Sequence, residues 1–150
     1  MKIIVQRLSQ CEILLENKTE INLGTGILVY VGIHKNDKED DITWISRKML
    51  NINLWPSDDK KPWKKSIIDM DGNVILCFEK GIYANVESSF PTYDDVMEED
   101  KAELFMEKIF AKVKQSYKKD KVFLINDKCK LNFNNQGPIT FILDSFNRRD

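Results

Sequence analysis

Histidine and cysteine are the scarce chemistry of this 150-residue chain: one histidine, His34, and three cysteines, Cys11, Cys77 and Cys129. The cysteines are odd in number, widely spaced and without a Cys-x-x-Cys pair. That argues against a zinc site or a disulfide framework and for reduced thiols in a cytoplasmic setting. The formal net charge is −1, so the chain as a whole offers no cationic field to nucleic acid. No apolar run approaches the length of a membrane span. The opening Met1-Lys2-Ile3-Ile4-Val5-Gln6-Arg7 puts charges where a signal peptide needs its apolar stretch, so neither a membrane segment nor a leader is expected. Repeats, linkers and low-complexity segments are absent. What remains is an ordinary globular composition, 42% hydrophobic and 31% charged, and a single domain over residues 1–150 with a frayed tail at about 146–150.

The pattern predicts an α+β domain with mixed or antiparallel sheet and two main helices. Lys2–Leu8 reads as a first strand, and Cys11–Leu15 with Thr19–Leu23 as a hairpin around Glu16-Asn17-Lys18. Gly26–Ile33 is a continuous apolar run, predicted to be a central strand covered on both faces. A helix is expected at roughly 38–50, with Asp37 as N-cap and Ile42, Ile45 and Met49 as its stripe. Asn51–Trp55 reads as a short strand, Asn73–Phe78 as another after the Asp71-Gly72 turn. A second helix is expected at roughly 96–118, followed by strands at 122–125, 130–133 and 139–143.

Four groups of residues invite a chemical reading. Cys77 and His34 are a conceivable nucleophile pair, but nothing in the spacing joins them and no third orienting group is implied. Asp94, Asp95, Glu98, Glu99 and Asp100 crowd one helix start, which the helix dipole explains better than acid–base or metal chemistry. No carboxylate cluster elsewhere has ligand spacing, so neither metal nor cofactor is expected. Lys60, Lys61, Lys64 and Lys65 surround Trp63, and a second lysine-rich stretch runs from Lys112 to Lys121. The first patch reads either as phosphate contacts with Trp63 as a stacking platform or as a solvated surface with a snorkelling aromatic. Fourth, Asn134-Asn135-Gln136-Gly137-Pro138 is turn chemistry mounted on the apolar run Ile139–Leu143. Glycine there tolerates unusual backbone angles, and proline fixes its own φ.

Several pieces, taken in order, resemble the D-aminoacyl-tRNA deacylase family, also called D-tyrosyl-tRNA deacylases. They are the opening Gln6-Arg7-Leu8, the run Gly26–Ile33, Lys35-Asn36-Asp37, Arg47-Lys48-Met49-Leu50-Asn51, and Gln136-Gly137-Pro138-Ile139-Thr140. The resemblance implies a compact barrel-like domain working as a homodimer on aminoacyl-tRNA. It also implies hydrolysis of the ester between a D-amino acid or glycine and the terminal ribose. The family's Asn-x-Gly-Pro-Val-Thr motif corresponds to Asn135–Thr140. It implies a cis Gly137–Pro138 bond inserted into the partner's pocket, with Arg7, Asn135 and Thr140 around it and Arg7 bracing the loop. With a near-neutral chain, any tRNA contacts are expected from the local patch Lys60, Lys61, Lys64 and Lys65.

The family's second motif, Ser-Gln-Phe-Thr-Leu, is not kept. Aligned on Tyr83-Ala84, this chain has Phe78-Glu79-Lys80-Gly81-Ile82. The catalytic wall expected there is therefore the backbone of Glu79, Lys80 and Gly81, helped by the substrate's own 2′-hydroxyl. The alternative is a catalytically impaired paralogue that keeps fold and dimer and binds tRNA or a nucleotide-like ligand.

Overall fold

The computed structural model describes residues 1–126 and 128–149. In chain order the elements are β1 (Lys2–Leu15), β2 (Glu20–Leu23), β3 (Gly26–Gly32), α1 (Glu39–Asn51), β4 (Asn73–Phe78), α2 (Glu99–Ser116), β5 (Val122–Ile125) and β6 (Cys129–Asp144). Short 3-10 turns occupy Lys80–Tyr83, Lys119–Lys121 and Ser145–Asn147. β1 organises the sheet. Along one edge it pairs antiparallel with β3 and then β2; along the other it pairs antiparallel with β6 throughout. β3, β4 and β5 continue the sheet in parallel.

The burial pattern along β1 changes phase midway, and that change makes the fold. Ile3 and Val5 face the helices, together with Ile27, Val29, Val31, Val74, Leu76 and the inner faces of α1 and α2. Leu8, Cys11 and Ile13 face a second core with Leu28, Ile75 and Ile125. Between them lies a bulge: Leu8 sits opposite Asn135 and Gln10 opposite Asn134, so β1 carries one extra residue. A one-residue slip moves every later side chain to the other face and bends the strand. The ribbon of β1, β2 and β6 thereby curls over the sheet into a half-barrel closed over the second core.

The expected break between residues 8 and 11 is therefore a bulge within one strand. The expected strands 130–133 and 139–143 are likewise one strand, β6, interrupted by an excursion at the corner. β3 is covered on both faces, as its apolar run predicts. The hairpin also forms, with Thr19 N–H donating to Asn17 Oδ1 (2.9 Å) at its turn.

Three local expectations are corrected. Asp37 is not the cap of α1: its carboxylate is buried, taking the Met1 amino group and the His34 N–H (2.7 Å). A buried ammonium is a stronger partner than a helix amide. Lys38 holds the cap position, and its N–H donates to the first-turn carboxylate of Asp41 (2.8 Å). Asn51–Trp55 is not a strand, because α1 runs through Asn51; one isolated bridge, Trp55 to Lys65, is all that forms. The tail is tied down as far as Arg148, which donates to Asp41 and to the Ser145 carbonyl (2.8 Å); Asp150 lies outside the described residues. Among the described residues no helix is long and apolar enough to cross a membrane.

Candidate active site

The corner is an excursion from a held strand. Gln6 pairs with Thr140 and Leu8 with Asn135, so two steps along β1 face five along β6. The three surplus residues loop outward as Gln136, Gly137 and Pro138, all exposed. The Gly137–Pro138 bond is cis, and Gly137 has φ +127°. A Cβ on Gly137 would lie 2.8 Å from Ile139 Cγ1, so glycine is required by both conformation and space.

Asn135 closes the loop from inside. Its Oδ1 accepts from Ile139 N–H (3.0 Å), and its Nδ2 donates to Thr140 Oγ1 (3.1 Å). Gln6 Nε2 donates to the same hydroxyl (3.2 Å). Arg7 braces the base, with Nε on the Gln136 carbonyl (3.0 Å) and Nη1 on the Leu54 carbonyl (2.6 Å). All four expected neighbours of Pro138 thus come together. Gln6 and the Leu54 carbonyl join them without having been singled out; Gln6 had a signal in its place beside Arg7 in the opening motif.

The wall, Glu79–Gly81, is elsewhere. Glu79 N–H donates to the Val31 carbonyl (2.9 Å), and the turn that follows packs on Gly32. A Cβ on Gly32 would lie 2.6 Å from Ile82 Cγ2, so this glycine lets the turn sit directly against β3. The corner lies beside Leu8, which pairs with Gly26 at the opposite end of that strand. Five residues of strand separate the two, about 17 Å. Within one chain they do not meet. The Gly81 N–H is also already engaged: Glu79 Oε1 accepts it at 2.8 Å. Lys80 lays its ammonium over the Tyr93 ring, 4.6 Å from the centroid. Beside the wall, between the ends of β4 and β5 and helix α2, is a cavity of about 550 Å³ lined by Cys77, Phe78, Met106, Leu124 and Cys129 among others.

The basic loop comes to the corner. Trp63 meets Phe141 edge to face, with centroids 5.7 Å apart. Two of its four lysines are already paired: Lys61 with Asp59 (3.2 Å) and Lys65 with Asp58 (2.7 Å). Cys77 and His34 remain apart. Cys77 pairs with Tyr30, four residues before His34 on the chain, and burial, with Cys129 and Glu79 nearby, pushes its thiol up to about 11. It is no nucleophile at neutral pH. His34 instead packs against Tyr83 and Phe146, and its Nδ1 accepts from Asn36 N–H (3.1 Å). Of the acidic run, Glu99 and Asp100 open α2, while Asp95 pairs with Lys35 (2.8 Å).

Comparison with known proteins bears on this arrangement. A D-aminoacyl-tRNA deacylase of Azobacteroides pseudotrichonymphae is 28% identical over 152 aligned positions, covering 99% of each chain. Its counterpart in Aquifex aeolicus is 27% identical, covering 97% of this chain and 98% of its own. Among solved structures, a c-Myc DNA unwinding element binding protein superposes with a TM-score of 0.90 at 23% identity, covering 97% and 99% of the two chains. A probable eukaryotic D-amino acid tRNA deacylase gives 0.81 at 12%, covering 95% and 97%. The sequence profile of the D-Tyr-tRNA(Tyr) deacylase family matches residues 4–144, nearly the whole chain, and the protein belongs to that family.

Proposed function

We propose that this protein hydrolyses the ester of D-aminoacyl-tRNA or glycyl-tRNA in the cytoplasm, as a homodimer in which each corner serves the other chain's wall. The observation that carries this reading is the separation of the two parts. Gly137–Pro138 is held rigid and exposed, yet lies about 17 Å along β3 from the Glu79–Gly81 backbone in its own chain. Two-fold pairing brings a corner of one copy to the wall of the other, twice. The outer edge of β6 supports the pairing. It has no partner strand among the described residues, and it carries Phe141 and Ile142, 37% and 65% exposed. Native proteins cover such edges.

In this reading the corner sorts substrates by backbone shape. Its carbonyls leave room for the substituent of a D-residue and none for that of an L-residue. Water attacks the ester carbonyl carbon and gives a proton to the substrate's 2′-hydroxyl oxygen. The oxyanion is met by the Gly81 N–H once the Glu79 carboxylate turns away from it, and as the bond to the ribose 3′-oxygen breaks the 2′-hydroxyl passes its own proton to that oxygen. The adjoining cavity is of a size to take the terminal nucleoside. The tRNA contacts are Lys60, Lys61, Lys64 and Lys65 beside the corner.

One observation favours a second reading. The Glu79 carboxylate occupies the Gly81 N–H and brings negative charge to where an oxyanion would form. A paralogue that binds aminoacyl-tRNA without hydrolysing it fits that contact. Single-turnover deacylation of matched D-aminoacyl-, glycyl- and L-aminoacyl-tRNA separates the two. Release of the D or glycyl ester with the L ester spared supports the enzyme; three intact esters with retained tRNA binding support the binder.

A further inference from the structure

From the loop beside the corner we infer that Trp63 is a stacking platform for an unpaired nucleotide of the substrate's single-stranded 3′ end, next to the one carrying the ester. Trp44 and Trp55 are buried at 9% and 4% exposure, whereas Trp63 is 49% exposed. It is held out at an unusual backbone angle, φ 58°, and Lys60 in the same loop has φ 63°. Bulky residues rarely adopt this region, and residues that do gather where a fold presents a group for a task. The loop is nonetheless well fixed. Trp55 and Lys65 exchange backbone bonds at 3.1 and 2.9 Å, and Ser57 N–H reaches the Lys61 carbonyl at 2.9 Å.

The indole is oriented as well as exposed. Its plane stands 85° to that of Phe141, an edge contact that leaves at least one aromatic face clear of Phe141 in a residue that is half exposed. Every nucleobase can stack on such a face. The flanking charges suit a phosphate chain. Lys61 and Lys65 are neutralised by Asp59 and Asp58, while Lys60 and Lys64 have no ion-pair partner among the described residues and lie on either side of Trp63 in the chain. From Phe141 to Pro138 is three residues, about 10 Å of strand. The platform therefore stands one or two nucleotides away from an ester seated at the corner. The identity of the strand rests on the tRNA reading above.

The test uses the full-length protein and an RNA minihelix with a four-nucleotide single-stranded 3′ tail, compared with the same minihelix blunt-ended. Tail-dependent quenching of tryptophan fluorescence is expected in the wild type and is lost in Trp63→Phe, which keeps most of the affinity. Trp63→Ala weakens binding of the tailed RNA by roughly 5- to 150-fold, the weight of one stacked base, and leaves blunt-ended binding unchanged. Trp63→Gly, which suits the backbone angle, gives the same loss in a folded protein. Equal affinity of wild type and both truncations for the tailed RNA overturns the inference. So does a shift from dimer to monomer in Trp63→Ala with no tail effect, which makes Trp63 an interface residue. Intact D-aminoacyl-tRNA alongside tail-dependent stacking refutes the hydrolase reading and sustains the platform; hydrolysis without any tail effect does the reverse.

Discussion

Replacing Arg7 tests whether the corner is a rigid instrument. Its guanidinium ties the Gln136 and Leu54 carbonyls, which belong to segments far apart in sequence. Arg7→Met keeps the apolar stem and removes both donors. Each is a charge-assisted bond at a half-exposed site, worth about 1 kcal/mol, so the loss is about 2 kcal/mol. For a chain of this size that is roughly 4–8 °C in Tm. Arg7→Lys can reach only one carbonyl and should fall between. The functional effect should exceed the thermal one. With Gln136 released, the corner samples other orientations, and the ratio of D- to L-ester hydrolysis falls while tRNA affinity holds. Urea melts at fixed protein concentration, paired with single-turnover deacylation of D- and L-esters, give both numbers. An unchanged midpoint together with an unchanged D-to-L ratio would refute the reasoning that Arg7 positions the corner.

Three further outcomes are expected. Glu79→Ala frees the Gly81 N–H and should raise kcat/KM by roughly 3- to 30-fold, the weight of one capping contact; a fall would give the carboxylate a part in the chemistry. Burial works to raise Asp41, but hydrogen bonds from Lys38, Ser145 and Arg148 outweigh it and hold the carboxyl below its ordinary range. The stability it contributes is thus present above the ordinary carboxylate pKa and lost as pH falls through the lowered one. Arg148→Ala should cost about 1 kcal/mol at pH 7, and the difference from wild type should close in thermal melts as pH falls below the ordinary carboxylate range; a gap that stays constant on acidification contradicts the assignment. Replacing Lys60 and Lys64 with alanine should reduce the salt dependence of tRNA binding by about 1–2 in log–log slope, and replacing the paired Lys61 and Lys65 by less; equal effects would show that the ion pairs do not survive in the complex.

What the sequence made legible follows from the range of the forces involved. β3 and β4 were readable because continuous apolar runs have one outcome in a sheet covered on both faces. Both helices were readable to within three residues at each end, from their stripes and terminal charges. The bulge after Leu8 was not, because the phase change between Val5 and Cys11 looks like a loop until β6 is laid alongside. Asp37 was misplaced for a similar reason: its partner, the Met1 amino group, is remote in sequence. At the site, the corner and its neighbours were legible as a motif, whereas the wall was identified only by alignment on Tyr83-Ala84. Its distance from the corner and the Glu79–Gly81 contact emerge from the register of β1 on β3 and from local backbone geometry, which no spacing encodes. The basic loop was visible as charge, but its place beside Phe141 is a tertiary contact.

The proposal of a site shared between two chains is tested most directly by mixing two disabled chains. Gly137→Val spoils the corner, since φ +127° and the contact with Ile139 admit no larger residue there, and Gly81→Pro removes the wall N–H while leaving the corner intact. Each homodimer should be inactive on D-aminoacyl-tRNA. After subunit exchange, half of the dimers carry one site with both parts intact, so the mixture should regain about a quarter of wild-type activity. A mixture that exchanges subunits yet stays inactive, beside an active wild type, would contradict a site shared between two chains.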